Sequence, residues 1–229
     1  MKKILYFLLV VLALSCTRTE QPVVTPPATD DEFPEKEGGE TVASLEVVNT
    51  ECVARVIGNT PEGENLPNPN STLKRFNMAS TDYGNMWDAG NGQLWCMFGD
   101  NFNDRGGDWK SNAIAFSTDR NLADGLYYDD MLRGSDGSRM EFIVSRAKTG
   151  QYPGDAEHET TCIPLAGVSV PHDGGNRQYV SYMSVNQWAV DGNDVWTANY
   201  SELVYTDDYG RTWTRSGVKW DGSGNFVQT

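Results

Sequence analysis

The sequence has few of the residues that build metal centres and covalent nucleophiles. Among its 229 residues there are two histidines and four cysteines. No two cysteines have the C-x-x-C spacing of a zinc site, and nothing around His158 or His172 resembles a Cys–His nucleophile motif. We therefore expect no zinc and no cofactor. Calcium stays open because the chain is acidic, but no calcium-binding motif supports it.

Positive charge is also scarce. The chain has 18 lysines and arginines against 32 aspartates and glutamates, which gives a net charge of −14. A nucleic-acid partner is excluded, because phosphates require clusters of Lys and Arg. Docking on an anionic lipid surface is disfavoured for the same reason. A neutral polysaccharide or oligosaccharide is the kind of partner that this composition favours.

There is one long apolar run, and it lies at the N-terminus. Two lysines precede Ile4–Leu14, which ends at Ser15-Cys16. The run is too short for a comfortable transmembrane helix and is typical of a secretory signal. A Cys after a small residue resembles a bacterial lipoprotein cleavage box. That resemblance implies removal of residues 1–15, lipidation of Cys16 and anchoring in a Gram-negative cell envelope. An ordinary signal that is cleaved elsewhere is the alternative.

The segment after the signal has almost no large apolar side chains. Residues 16–42 contain four prolines among Thr, Asp, Glu and Gly. Such a segment cannot bury enough surface to offset its chain entropy, so we expect a flexible tether. The folded domain is therefore predicted to occupy residues 43–229.

Helical periodicity is missing from the predicted domain. Short apolar or alternating runs instead lie between Gly, Asn, Asp and Pro, which predicts an all-β sandwich, barrel or propeller. The predicted strands are Leu45–Val48, Cys52–Ile57, Leu94–Phe98, Ala113–Ser117, Glu141–Ser145, Gly167–Val170, Tyr179–Val185, Val195–Asn199 and Leu203–Thr206.

One motif favours the propeller. Thr206-x-Asp208-x-Gly210-x-Thr212-Trp213 resembles the Asp-box of sialidase-like β-propellers, a hairpin between the outer strands of a blade. In such a turn the Asp accepts backbone N–H bonds, the Gly adopts a positive φ and the Trp packs beneath the hairpin. The motif indicates a fold and carries no chemistry.

A weaker echo of the motif at Ser117-Thr118-Asp119 lies about two blades earlier, at ~40–45 residues per blade. The predicted domain has room for roughly four such blades. We therefore expect a propeller whose last blade is incomplete in this chain. A small independent barrel is the alternative.

Acidic and aromatic residues are concentrated within 81–112. This stretch has five aspartates, among them Asp82, Asp88 and Asp100, close to Trp87, Trp95 and Trp109. Paired carboxylates supply acid and base for glycoside cleavage, and Trp faces supply apolar platforms for sugar rings. The alternative is that each Asp only forms a turn.

Several motifs together resemble domain-of-unknown-function family 4185. They are Thr81-Asp82-x-Gly84, Trp87-Asp88, Phe98-Gly99-Asp100-x-Phe102, Trp109-Lys110-Ser111-Asn112, Ile163-Pro164-x-Ala166-Gly167, Tyr182–Val185, Trp188 and Asn199–Leu203. The resemblance implies a five-bladed propeller. It also implies the activity of characterised members, glycoside hydrolase family 183 enzymes, which are endo-D-arabinofuranosidases that cut arabinan.

In that family a pair of aspartates in the first blade is associated with catalysis, and the motifs place the pair at Asp82 and Asp100. One carboxyl would act as general acid and the other as base or nucleophile. The predicted substrate-binding residues are Trp87, Asp88, Trp109, Ser111, Asn112, Trp188 and Glu202. Two other functions stay open: a non-catalytic glycan-binding surface lipoprotein, and a structural or adhesion module whose acidic loops bind calcium.

Overall fold

A computed structural model describes residues 47, 49–82, 84–146, 158–188 and 196–221. The predicted signal, Cys16 and the tether lie outside the described residues, as does the predicted domain boundary at residue 43. The chain divides into two units at residue 48, and every described helix and strand belongs to the unit that begins at Asn49. No helix within the described residues is long and apolar enough to cross a membrane.

The first sheet is a four-stranded antiparallel meander. It contains β2 (Gly84–Asp88), β3 (Leu94–Phe98), β5 (Ala113–Ser117) and β6 (Asp130–Met131), in the order β2-β3-β5-β6. Two further short strands, β1 (Ser80–Thr81) and β4 (Asn101–Phe102), pair with each other as a separate antiparallel sheet. The described helical residues are the short helix α1 (Thr72–Phe76) and a 3-10 turn at Leu122–Asp124.

The second sheet has longer strands and the same simple order. It contains β7 (Thr161–His172), β8 (Gly175–Trp188), β9 (Trp196–Thr206) and β10 (Thr214–Asp221), in the order β10-β9-β8-β7. Register shifts interrupt all three of its pairings, and Gly217 has a φ of 78° within the one between β9 and β10. The prediction of an all-β fold is confirmed.

The predicted strands match the observed ones in part. Two strands were predicted at Val195–Asn199 and Leu203–Thr206, whereas one strand, β9, runs from Trp196 to Thr206, and Gly167–Val170 is part of the longer β7. Leu94–Phe98 and Ala113–Ser117 have the predicted bounds, but Cys52–Ile57 and Glu141–Ser145 are not strands. In the second of these, main-chain groups bond to a side chain and not to a neighbouring strand. The N–H groups of Phe142 and Ile143 both donate to the Asn112 amide oxygen at 3.0 Å.

Strand β3 lies between β2 and β5 in the first sheet and is buried on both faces. Trp95 and Met97 pack into a core shared with Val180, Tyr182 and Val204 of the second sheet. The alternate residues of β3 pack into a separate core, which contains Phe76, Met78, Cys96, Phe98, Ala113, Ala115, Leu126, Tyr128 and Met131. The cysteines of the described residues, Cys52, Cys96 and Cys162, are free thiols.

The Asp-box has the geometry that its motif predicts. The Asp208 carboxylate accepts hydrogen bonds from the Thr212 N–H at 2.9 Å and the Thr212 hydroxyl at 2.6 Å. Gly210 has a φ of 79°, and the Trp213 indole donates to its carbonyl at 3.1 Å. Trp213 also packs edge-on against Trp95, with ring centroids 6.2 Å apart. The hairpin of the second sheet therefore contributes to the core of the first.

The weaker echo of the motif occupies the equivalent place in the first sheet. Ser117 ends the third strand of its sheet, as Thr206 does in the other. The Ser117 hydroxyl accepts the Asp119 N–H at 3.1 Å, and the Asp119 carboxylate accepts the N–H groups of Asn121 and Tyr127. The two sheets are thus similar in strand order and in the turn after the third strand.

Close contact between Gly167 of β7 and Trp87 of β2 generates a first prediction. A Cβ on Gly167 would lie 2.3 Å from Cε3 of the buried Trp87 ring, so Gly167→Ala requires the indole to move. We expect the free energy of unfolding to fall by about 1–3 kcal/mol in urea titrations. Gly175→Ala is the control, because its nearest heavy atom would be 3.8 Å away. Equal losses in the two variants would contradict this packing.

Candidate functional site

The two predicted catalytic aspartates are neighbours in the fold. Pairing of β1 with β4 places the Asp82 N–H 3.1 Å from the Asp100 carbonyl and the Gly99 N–H 3.3 Å from the Asp82 carbonyl. The chain between the two aspartates therefore closes into a loop that begins and ends at the site. The pKa of Asp82 is raised above its ordinary value, first by desolvation and then by the negative charge of Asp100.

The environments of the two carboxylates differ. The Asp82 side chain is exposed, whereas Asp100 is only 9% exposed. Oδ1 of Asp100 accepts a hydrogen bond from the Trp109 indole at 2.8 Å and another from the Thr161 hydroxyl at 2.6 Å. Asp82 thus lies at the surface, where neighbouring groups remove part of its hydration, and Asp100 is held by protein donors.

A short loop between β4 and β5 brings Trp109 to Asp100. Main-chain hydrogen bonds of 2.9 and 3.0 Å join Asn101 and Lys110 at the base of this loop. Beneath it, the buried Arg139 guanidinium donates to the Asp108 carbonyl at 2.8 Å and to its carboxylate at 3.1 Å. Trp109 was predicted to bind substrate; the structure shows that its indole nitrogen bonds to Asp100.

Two predicted substrate-binding residues, Ser111 and Asn112, are fully buried. The Asn112 amide donates to the carbonyls of Ile143 and Cys162 at 2.9 and 3.1 Å. The Ser111 N–H donates to the Glu141 carboxylate at 2.6 Å. In these positions both residues support the segment behind the site. A contact of either with sugar stays a prediction.

Three more predicted binding residues are Trp87 and Asp88 of β2 and Trp188 of β8. Trp87 lies in the core between the sheets and donates to the Gln178 side chain at 2.9 Å. Asp88 is exposed, and its carboxylate accepts the Gly90 N–H at 2.8 Å. Trp188 ends β8, and its side chain lies outside the described residues.

Glu202 belongs to a buried charge cluster, which also contains a residue that no sequence pattern indicated. Glu159 and Glu202 are 0% and 1% exposed, and Arg215 lies between them, 2.8 Å from the first and 3.3 Å from the second. The hydroxyls of Tyr182 and Tyr200 donate to Glu202 and Glu159 respectively, each at 2.7 Å. Arg215 and both tyrosines come from the three strands β8, β9 and β10.

Hydrogen bonding decides the charge state of Glu159. Its burial alone would raise the pKa of the carboxyl, but hydrogen bonds from Arg215, from the Arg146 N–H and from Tyr200 together lower it below its ordinary value. Glu159 lies two residues before Thr161, so the charge cluster and the Asp100 carboxylate are joined through the first residues of β7. No periodicity or motif in the sequence marks Glu159, which precedes β7 as an isolated acid.

The described residues show no metal cluster, and the cavity found among them lies away from the aspartate pair. They contain no group of three His, Cys, Asp or Glu side chains arranged to hold a metal ion. A surface cavity of about 390 Å³ lies around the turn after β5, and its lining includes neither Asp82 nor Asp100. The residues that line the cavity are Pro69, Thr118, Asp119, Asn121, Asp124, Gly125, Tyr127 and Asp129.

Comparison with protein families gives a match over residues 67–228 to a domain of unknown function, DUF4185. The chain belongs to the DUF4185 family. This match contains both aspartates, the Asp-box and the buried charge cluster, so the family assignment covers every described part of the candidate site.

The curated relatives of this DUF4185 chain are fungal. Notoamide biosynthesis cluster protein J of an Aspergillus species is 28% identical over 193 residues, 81% of this chain and 47% of the relative. Protein J' of Aspergillus versicolor is 27% identical over 187 residues, 80% of this chain and 47% of the relative. The chain thus spans about half the length of these relatives. Among solved structures, a levansucrase mutant of B. megaterium matches at 12% identity with a TM-score of 0.30, over 64% of this chain and 29% of that one.

The pKa of Asp82 generates a second prediction. Because the folded-state pKa is raised, the folded protein binds a proton more tightly there than the unfolded chain does. Ionisation of Asp82 therefore lowers stability as pH rises through the ordinary carboxyl range, near ~4. We expect Asp82→Asn to raise the melting temperature at neutral pH and to have little effect below about pH 3. A melting temperature that falls equally at both pH values would contradict this.

The buried charge cluster generates a third prediction. Arg215→Met removes the cation that lies between Glu159 and Glu202. Breaking a buried ion pair from one side leaves an uncompensated charge, so we expect a loss of about 3–5 kcal/mol in urea unfolding. Arg133→Met is the control, because Arg133 and Asp130 form an exposed pair at 2.8 Å; it should cost less than about 1 kcal/mol. Similar losses in the two variants would show that the cluster is not electrostatically important.

Proposed function

We propose that this DUF4185 chain is a glycoside hydrolase that cleaves arabinofuranosyl linkages in a bacterial arabinan-type polysaccharide, with Asp82 and Asp100 as its two carboxylates. The observation that carries the proposal is the unequal pair itself. The two residues are main-chain neighbours, Asp82 is exposed with a raised pKa, and Asp100 is held by two donors. The motifs that resemble the arabinofuranosidases of glycoside hydrolase family 183 contain both residues.

The environments suggest the roles. A carboxyl whose pKa is raised keeps its proton to a higher pH, which suits Asp82 as the general acid that protonates the leaving glycosidic oxygen. A carboxylate that accepts two hydrogen bonds is favoured in its ionised form, which suits Asp100 as base or nucleophile at the anomeric carbon. Two carboxyl groups in different environments, one suited to hold a proton and one suited to accept hydrogen bonds, are the arrangement that glycoside cleavage requires.

The proposal includes the scaffold and the location of the protein. We take the two sheets as neighbouring blades of a β-propeller, five-bladed as the resemblance implies, in which further blades complete the wall of the site. The shared strand order and the similar turns at Ser117 and Thr206 support this. The pattern around Cys16 supports a lipid-anchored protein of the cell envelope, with residues 16–42 as tether.

One observation favours a second function, a glycan-binding surface lipoprotein without turnover. Asp100 is 9% exposed, and one of its oxygens already accepts two protein hydrogen bonds. A carboxylate so engaged can serve structure instead of chemistry, while the exposed Asp82 and Asp88 bind sugar hydroxyls. Binding of arabinan oligosaccharides without release of new reducing ends would favour this function.

Arabinan digestion provides the fourth prediction. Wild type should release new reducing ends, and Asp82→Asn and Asp100→Asn should each lower the rate by about 10²–10⁴-fold, the usual contribution of a general acid or base. Asp104→Asn is the control, because Asp104 is an exposed residue of the loop between β4 and β5. Equal rates in all four proteins would exclude the proposed pair. Inactive wild type that still binds arabinan oligosaccharides would select the second function.

A further inference from the structure

The second sheet reaches the Asp100 carboxylate through Thr161, at the start of β7. Its side chain is fully buried, and its hydroxyl is 2.6 Å from Oδ1 of Asp100. Asp100 follows β3 of the first sheet, and the Trp109 indole from the same half of the chain reaches the same oxygen at 2.8 Å. A single carboxylate oxygen therefore joins groups from both halves of the fold.

Both contacts are donations to Asp100. An indole N–H can only donate, and an ionised carboxylate can only accept, so the Thr161 hydroxyl adds a second donor to Oδ1. Hydrogen bonds to an ionised acceptor are shorter and stronger than neutral ones, which agrees with the 2.6 Å distance. The geometry fits an Asp100 that carries negative charge.

The main chain around Thr161 is fixed. The neighbouring Thr160 N–H donates to the Val185 carbonyl at 2.7 Å, and the Thr160 hydroxyl donates to the Asn186 carbonyl at 2.5 Å. Thr161 itself is the first residue in register with β8, opposite Val185. The hydroxyl therefore reaches Asp100 from a rigid support, which is what orientation of a reacting group requires.

We propose that Thr161 is a positioning residue that orients the Asp100 carboxylate and holds it ionised beside the exposed Asp82. The catalytic role of Asp100 rests on the proposed function. The hydrogen bond from Thr161 to Asp100 does not depend on it. Thr161 is buried and acts through Asp100, without touching substrate. The charge state of Asp100, which follows a strand of the first sheet, would then depend on a residue of the second sheet.

The test uses the Trp109 indole as a reporter. Its N–H bonds to Asp100, so its proton–nitrogen NMR signal should follow the ionisation of that carboxyl; among the seven indole signals it is assigned with Trp109→Phe. Thr161→Val keeps the shape but removes the hydroxyl, so the carboxylate loses a donor and the midpoint should move to higher pH. Thr161→Ser should restore the wild-type midpoint.

Thr160→Val is the matched control, because it removes a hydroxyl from the adjacent buried threonine, which bonds to the Asn186 carbonyl. It should leave the midpoint unchanged. An unchanged midpoint in Thr161→Val, or a Trp109 signal that does not titrate, would overturn the proposal. If Thr161→Val fails to fold, Thr161→Cys keeps the volume with a weaker donor and should shift the midpoint in the same direction.

Activity provides an independent arm. On arabinan, Thr161→Val should lower kcat/KM about tenfold or more and move the acid limb of the pH–rate profile upward, while Thr161→Ser keeps both. Loss of rate in Thr161→Val with an unchanged acid limb would overturn the positioning role. A wild type that is inactive on arabinan, with the NMR shift still present, would refute the proposed function and leave the link between Thr161 and Asp100 intact.

Discussion

The packing of tryptophans between the two sheets is the contact on which the rest of the described structure depends. Trp95 lies at its centre, edge-on to Trp87 at 5.8 Å and to Trp213 at 6.2 Å. Each outer ring contacts a glycine from the second half of the chain: Gly167 leaves room for Trp87, and the Gly210 carbonyl accepts the Trp213 N–H. Rings of this size bury more apolar surface than any other side chain, so this interface fixes how the sheets meet.

A charge cluster on the second sheet and the segment before β7 adds orientation more than stability. Glu159, Glu202 and Arg215 are taken out of water, and the cost of desolvating buried charges can equal what their attraction returns. An apolar contact tolerates small slides, whereas this cluster satisfies its charges only when Arg215 of β10 lies close to both Glu159 and Glu202. We infer that the tryptophans hold the two sheets together and that the cluster fixes strands β9 and β10 relative to the segment before β7.

The sequence predicts local features well and long-range contacts poorly. The bounds of β3 and β5 and the turn of the Asp-box follow from short apolar runs and a short motif, and the aspartate pair follows from the family resemblance. The partners of Trp109 and Glu202 follow from none of these. The first depends on the conformation of the loop between β4 and β5, and the second on how β8, β9 and β10 meet. An exposed sugar platform and an indole that bonds to Asp100 have the same sequence signature, and only the fold distinguishes them. Glu159 could not be found at all, since its partner Arg215 is 56 residues away.

Strand β7 connects these observations, because it carries both the packing contact and the donor to Asp100. Gly167 is fixed along the strand by the Trp87 ring, and Thr161 lies six residues earlier on the same strand. A slide of β7 by one residue would move the hydroxyl about 3.3 Å and turn it to the other face. It would then no longer reach Asp100, which it now contacts at 2.6 Å. The packing that stabilises the two sheets is therefore also what sets the environment of one carboxylate apart from that of the other.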